Sequence, residues 1–307
     1  MLGLTKPWAP VEYPIAANLM KTALEQGANF WNGGIHYGTP EANSLHLLKY
    51  YFEKYPEDAS KVVLSIKGAY DPQNGPVGSP EGIRASVEEA TKVLGGIKTI
   101  DIFECARVDP NTPIETSVQV LSELVKEGKI GAIGLSEVGA RTIRKAHAIH
   151  PISVVEVELS LFTPDPLNNG ILDTCHELGI TVAAYSPVGR GWLTGELRTL
   201  DDLSHNDFRR MLPRFQPDAF DQNSKLVEAV GQVAKRKGFT TAQVAISWVC
   251  HQGAIPIPGS VRAERVIENC KASPLTDDDM TELQKILDTL PISGERYGGA
   301  HEKFLNA

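Results

Sequence analysis

With 307 residues, 42% hydrophobic and 22% charged, the chain has an ordinary globular composition and room for one α/β barrel, which takes about 250 residues. A formal net charge of −8 argues against nucleic acid or an anionic membrane as a partner, and no apolar run approaches the ~18 residues of a membrane span. The N-terminal MLGLTKPWAP lacks a charged-then-apolar leader pattern, and Cys105, Cys175, Cys250 and Cys270 are scattered without a CxxC, so the expectation is a cytoplasmic chain with free thiols and no metal.

Helical periodicity begins near Ile15, and seven β-rich runs follow in order: 28–32, 62–67, 99–105, 131–136, 153–158, 180–186 and 254–258. Amphipathic stretches at 41–55, 80–94 and 114–128 lie between them. In the last, Val118, Leu121, Leu124 and Val125 recur at helical spacing. Repeated β-then-α units predict a parallel sheet covered by helices, here a (β/α)8 TIM barrel forming a single domain over 1–307. The first of the eight strands is short or truncated, because MLGLT is only a stub. Residues 187–221 lack periodicity and are rich in Arg, Asp and Pro. A loop that long, placed after the seventh barrel strand, points to the C-terminal face where barrel active sites are built.

No GxGxxG follows an early strand, and there is no Walker loop, HExxH or GxSxG. His147 and His150, three apart on a helix, read as a solvated face and not as metal ligands.

Five segments, in order, carry a resemblance. NFWNGGIHYGTPE holds a tyrosine-glycine pair at Tyr37 and Gly38, and VVLSIKG ends on Lys67. GKIGAIGLSEV, AAYSPVGRGWLTG and PIPGSVRAERVIEN follow. Together they resemble the aldo-keto reductase family at its second, third, fifth, seventh and eighth barrel strands. ECARVDP and the FWNGG variant are most similar to the fungal pyridoxal reductase branch. The resemblance implies NADPH-dependent reduction of an aldehyde, pyridoxal to pyridoxine in that branch; the expected partner is a small-molecule aldehyde and the expected state a monomer or weak oligomer. Tyr37 would be the proton donor and Lys67 the residue that tunes it. A free tyrosine is a weak acid near neutrality, and an adjacent ammonium favours tyrosinate.

Two positions depart from the family's four-residue catalytic set. Asn32 stands where the family has aspartate, and Ala106 where it has histidine. Asn32 cannot neutralise Lys67, whose charge should then act more strongly on Tyr37. Ala106 offers no hydrogen bond to polarise the substrate oxygen. Three accounts remain open: a substrate whose own hydroxyl polarises its carbonyl, a substitute in His36 or Glu104, or a nucleotide-binding chain without turnover. A broad-specificity aldehyde or ketone reductase is the alternative enzyme.

By family position, Tyr185 stacks on the nicotinamide and Ser136 holds its carboxamide, with Glu137 and Glu156 where the family has amide side chains. Ser186, Pro187, Gly189, Arg190 and Gly191 wrap the pyrophosphate. Ser260, Arg262 and Arg265 grip the adenosine 2′-phosphate, and Glu268 and Asn269 the adenine. Trp31, Ile35, His36, Tyr70, Ala106 and Trp192 are the expected substrate-pocket walls, an aromatic set suited to a flat ring.

Overall fold

All seven β-rich runs form strands of one parallel sheet, hydrogen-bonded in chain order: β1 (Phe30–Gly34), β2 (Val63–Gly68), β3 (Ile100–Cys105), β4 (Ile130–Ser136), β5 (Ile152–Glu158), β6 (Thr181–Tyr185) and β7 (Ile255–Pro256). The computed structural model describes residues 1–307, with the side chains of residues 300 and 301 left out. Helix α1 (Tyr13–Glu25) precedes β1. Helices α2 (Ser44–Lys54), α3 (Pro80–Leu94), α4 (Ile114–Lys126), α5 (Ala140–Ile149) and α6 (Ile171–Leu178) cross between successive strands. The pair α7 (Pro217–Lys237) and α8 (Thr241–His251) leads into β7, and α9 (Ala263–Asn269) and α10 (Asp277–Thr289) follow it.

The period in the sequence explains each element. Helix α4 buries Val118, Leu121 and Leu124 on one face and stops before Gly128, whose φ of 70° few other residues tolerate. Helix α3 opens on Ser79, whose hydroxyl accepts from Gly82 N–H. The sheet is buried on both faces, as a helix-covered parallel sheet requires.

Inside the curl, Ile102, Val154 and Ala183 pack with Phe30 and Ala132 as an apolar floor. Strand alternation then puts Asn32, Ser65, Glu104 and Glu156 one layer higher, toward the C-terminal ends. Gly134 leaves room for that layer: a Cβ there would meet the Glu104 side chain at 2.5 Å.

One element differs from expectation. The barrel is not closed by an eighth strand; Leu2–Leu4 forms a 3-10 turn, and β1 and β7 are the two ends of the sheet. The run MLGLT is too short an apolar alternation to pair along its length, and Pro7 ends it. Helix α9 packs on α1, so the helical layer closes where the sheet does not. The segment after β6 contains four 3-10 turns, at Gly189–Thr194, Leu200–Asp202, Phe208–Met211 and Pro213–Phe215, and α7 begins at Pro217, inside the predicted loop.

Candidate active site

Three residues with left-handed backbone sit directly after strand ends: Ala69 after β2, Glu137 after β4 and Ser186 after β6, each with φ between 52° and 56°. Non-glycine residues adopt this conformation only where surrounding structure enforces it, commonly at functional sites. All three lie on the C-terminal face of the sheet.

Below that face, Lys67 is buried between two carboxylates. Its ammonium pairs closely with Glu156 on β5 and lies 3.4 Å from Glu104 on β3. Asn32 donates from Nδ2 to the same Glu156 oxygen at 2.6 Å, and the Ser65 hydroxyl donates to Glu104. Lys67 is therefore not left uncompensated by Asn32. Two glutamates from other strands neutralise it, which corrects the expectation of an unusually strong field on Tyr37. Burial opposes charge on Lys67, but Glu104 and Glu156 outweigh it and raise its pKa. Burial pushes Glu156 up to about 7, against the pull of Lys67.

Tyr37 feels the whole cluster. Burial raises its hydroxyl to about 12. Lys67 and Arg107 pull it down while Glu156 and Glu104 push it up. The ring of His36 meets Tyr37 edge-on at 4.8 Å and approaches Tyr70 at 5.3 Å, and Ile35 N–H bonds to Lys67 O, so Ile35, His36, Tyr37 and Tyr70 form one wall over β1 and β2. Burial, Lys67 and Arg107 lower His36 to about 4, which keeps it neutral, and its Nδ1 has no partner. Ala106 is buried at the end of β3, its N–H bonded to Gly68 O.

A second buried network closes the mouth. Arg296, from the segment after α10, makes two bonds to Glu137 (2.8 and 3.0 Å) and reaches Glu158 at 3.2 Å and the Tyr185 hydroxyl at 2.7 Å. Arg190 pairs with Glu158 at 3.1 Å and lies over the Tyr297 ring at 4.3 Å. Tyr297 and Tyr185 share a hydroxyl contact of 3.2 Å. Ser136 is buried, its hydroxyl 3.5 Å from Arg107 Nη1. A cleft of about 580 Å³ flanks the same segment, lined by Phe162, Arg214, Leu290 and Arg296 and by none of the residues around Lys67.

Beyond β7, Arg265 pairs with Glu196 and, at 2.6 Å, with Glu268. Arg262 reaches Glu196 at 3.0 Å, and the Ser260 hydroxyl accepts from Arg262 N–H at 3.1 Å. Asn269 ends α9, half-buried.

A profile of the aldo/keto reductase family matches residues 1–288. The chain belongs to that family. It is 42% identical, over its full length and 95% of the relative, to a probable pyridoxal reductase of Schizosaccharomyces pombe. To an aldo-keto reductase of Gibberella moniliformis it is 37% identical, over 94% of this chain and 88% of that one. Among solved structures, a glycerol dehydrogenase from Gluconobacter oxydans superposes with a TM-score of 0.81 at 23% identity, covering 94% of this reductase and 89% of that chain. A thermostable aldo-keto reductase in complex with epalrestat gives 0.71 at 22%, covering 89% and 88%. The family makes this chain an oxidoreductase, and the likeness to solved structures fixes its barrel-like fold.

Two of the expected pocket walls are elsewhere in the reductase. Trp31 alternates with inward-facing Asn32 and so points outward, 7% exposed, packing on Tyr51 and Phe52 of α2. Trp192 is fully buried and stacks with Phe162 and Phe220, with Phe215 at 4.8 Å. Both are core, not pocket. Conversely, Arg107, Glu158, Arg296 and Tyr297 are in or beside the site although no family position in the sequence marks them. Arg107 lies inside the quoted ECARVDP, where a cation directly after a buried strand end is a usable signal. Arg296 lies in a segment without periodicity or motif.

Proposed function

We propose that this reductase transfers hydride from NADPH to an aldehyde, with pyridoxal the preferred substrate and pyridoxine the product, and that Tyr37 donates the proton. The observation that carries the reading is the Tyr37 ring lying against Gly34, the strand neighbour of the buried, charge-compensated Lys67, at the C-terminal end of the sheet. Pyridoxal as substrate is supported by the printed name of the fission-yeast relative. A flat ring also suits the wall of His36 and Tyr70.

The residues present fit the cofactor. The run Ser186 to Gly191 holds Ser186, Gly189, Arg190 and Gly191 at positive φ, a tight curl at the end of β6 that includes buried Pro187 and carries the Arg190 guanidinium, a cation suited to a pyrophosphate. Ser260, Arg262 and Arg265 gather hydroxyl and guanidinium donors; the partner shared by the two arginines, Glu196, is exposed, and Arg265 also holds Glu268. They would take the 2′-phosphate, with Glu268 and Asn269 at the adenine. Ser136, Glu156 and Tyr185 would face the nicotinamide, with Arg296 and Tyr297 beside Tyr185. NADPH supplies the hydride. This chain's residues bind it, orient the aldehyde over Tyr37 and exclude water beneath it.

The test is NADPH oxidation at saturating pyridoxal with Tyr37→Phe alongside. We expect turnover in the native chain and loss of most of it in the variant. The other reading, an NADP(H)-binding chain without turnover, is favoured by the missing donor at Ala106, and binding without oxidation would establish it. Equal turnover of general aldehydes and pyridoxal would instead make this a broad-specificity reductase.

A further inference from the structure

Arg107 occupies a distinctive position among the cations of the mouth. Arg190 and Arg296 each rest on buried glutamates, whereas among the described residues no carboxylate lies within 4.0 Å of Arg107. Its Nη1 donates to Ala106 O at 2.6 Å and reaches the Ser136 hydroxyl at 3.5 Å. Among the described residues its Nε and Nη2 meet no protein acceptor. The backbone of Ala106 is tied to Gly68 at the end of β2, and Ser136 ends β4, so the guanidinium sits between the ends of β2, β3 and β4. Its charge reaches both Tyr37 and His36.

The guanidinium is half-buried, and the donor positions it does not spend on Ala106 and Ser136 are open to the mouth, where a substrate oxygen can reach them. The rival groups fit the role less well. Glu104 is bonded to Ser65 and paired with Lys67 in the layer beneath the mouth, and it is an acceptor where a donor is needed. His36 is neutral at working pH, and its ring packs edge-on against Tyr37.

Resting on the reductase reading above, we propose that Arg107 is the electrophilic residue of the site, donating through Nε or Nη2 to the carbonyl oxygen of the aldehyde. Hydride from NADPH adds to the carbonyl carbon, and the C=O π pair moves to oxygen, where Arg107 stabilises it. That oxygen takes the Tyr37 hydroxyl proton, the alcohol and NADP⁺ leave, and water reprotonates the tyrosinate. Arginine cannot release a proton in this range, so the acid remains Tyr37. A planar donor pair one residue along the chain thus does what Ala106 cannot.

The decisive experiment compares Arg107→Met, Arg107→Lys and Arg107→Ala with added guanidinium. In Arg107→Met we expect kcat/KM for pyridoxal to fall about a hundredfold, as on removal of an oxyanion donor, with kcat carrying the loss. Guanidinium should restore part of it to Arg107→Ala, and Arg107→Lys should retain part. In ligand-free protein, the Tyr37 ionisation midpoint, read from phenolate absorbance after subtracting Tyr37→Phe, should rise in Arg107→Met. Normal turnover of Arg107→Met overturns this assignment alone, as does an unmoved midpoint. No turnover by the native chain with any aldehyde overturns the reductase reading and this assignment with it.

Discussion

Lys67 pairs with Glu156 across the barrel interior: β2 and β5 are three places apart in the sheet, and both side chains reach the axis from opposite walls. Asn32 holds the shared oxygen from β1. A carboxylate absent from residue 32 is thus supplied from another strand, and the tyrosine above is governed by a group distant in sequence.

That pair sets a pH dependence. Glu156 is held up to about 7, so below that value it is protonated and Lys67 acts on Tyr37 with less compensation. The donor is then a stronger acid, and reduction slows as pH rises through about 7. Glu156→Gln should remove this limb and keep the faster rate on the alkaline side. A kcat/KM profile whose limb is the same in both proteins refutes the link.

Arg296→Ala should cost about 3–5 kcal/mol, because it leaves Glu137 and Glu158 buried with one partner fewer. Burial opposes charge on Glu158, yet Arg190 and Arg296 lower its folded pKa below 4.5. Its stabilising share is therefore present above 4.5 and lost as pH falls through the lower folded value. Urea midpoints should show a wide gap between native and variant at neutral pH and a narrower one in acid.

Arg265→Ala should raise the Kd for NADPH far more than that for NADH, since the group it is proposed to meet is the 2′-phosphate. Titrations of both nucleotides decide it, and equal losses refute the assignment.

Trp192→Ala should destabilise by about 3–5 kcal/mol, as for other fully buried aromatics. Trp192→Phe should cost much less, because the indole Nε1 has no hydrogen bond to lose and the stack on Phe162 and Phe220 can persist. Thermal melts of the two variants test the ordering.

The strands were legible because a doubly covered parallel sheet demands continuous β-branched runs, and VVLSIK or SVVEVE have no other use. The stub MLGLT carried no such demand, and whether it paired was a tertiary matter. Within the site, Tyr37 and Lys67 were readable from their segments. The partners of Lys67 were not, since Glu104 and Glu156 approach from walls that only closure of the curl brings together. Trp31 and Trp192 misled for a simpler reason. A motif names a residue but not the side of the strand or turn it faces, and one step along β1 separates Asn32 inside from Trp31 outside. Arg296 contacts Glu137 across 159 positions, a separation no local pattern encodes.

The open seam between β1 and β7 has a mechanical consequence. Its two lips lead to different ends of the proposed cofactor: β1 runs into Tyr37, and β7 into Ser260 and Arg262. No sheet hydrogen bonds tie these strands; the seam is held by side-chain packing, by the α1–α9 contact and by the N-terminal turn, whose Met1 amine bonds to Asn32 O and whose Leu4 is buried in the core. The span between the proposed proton donor and the proposed phosphate grip is thus set on this side by packed side chains and not by rungs of the sheet.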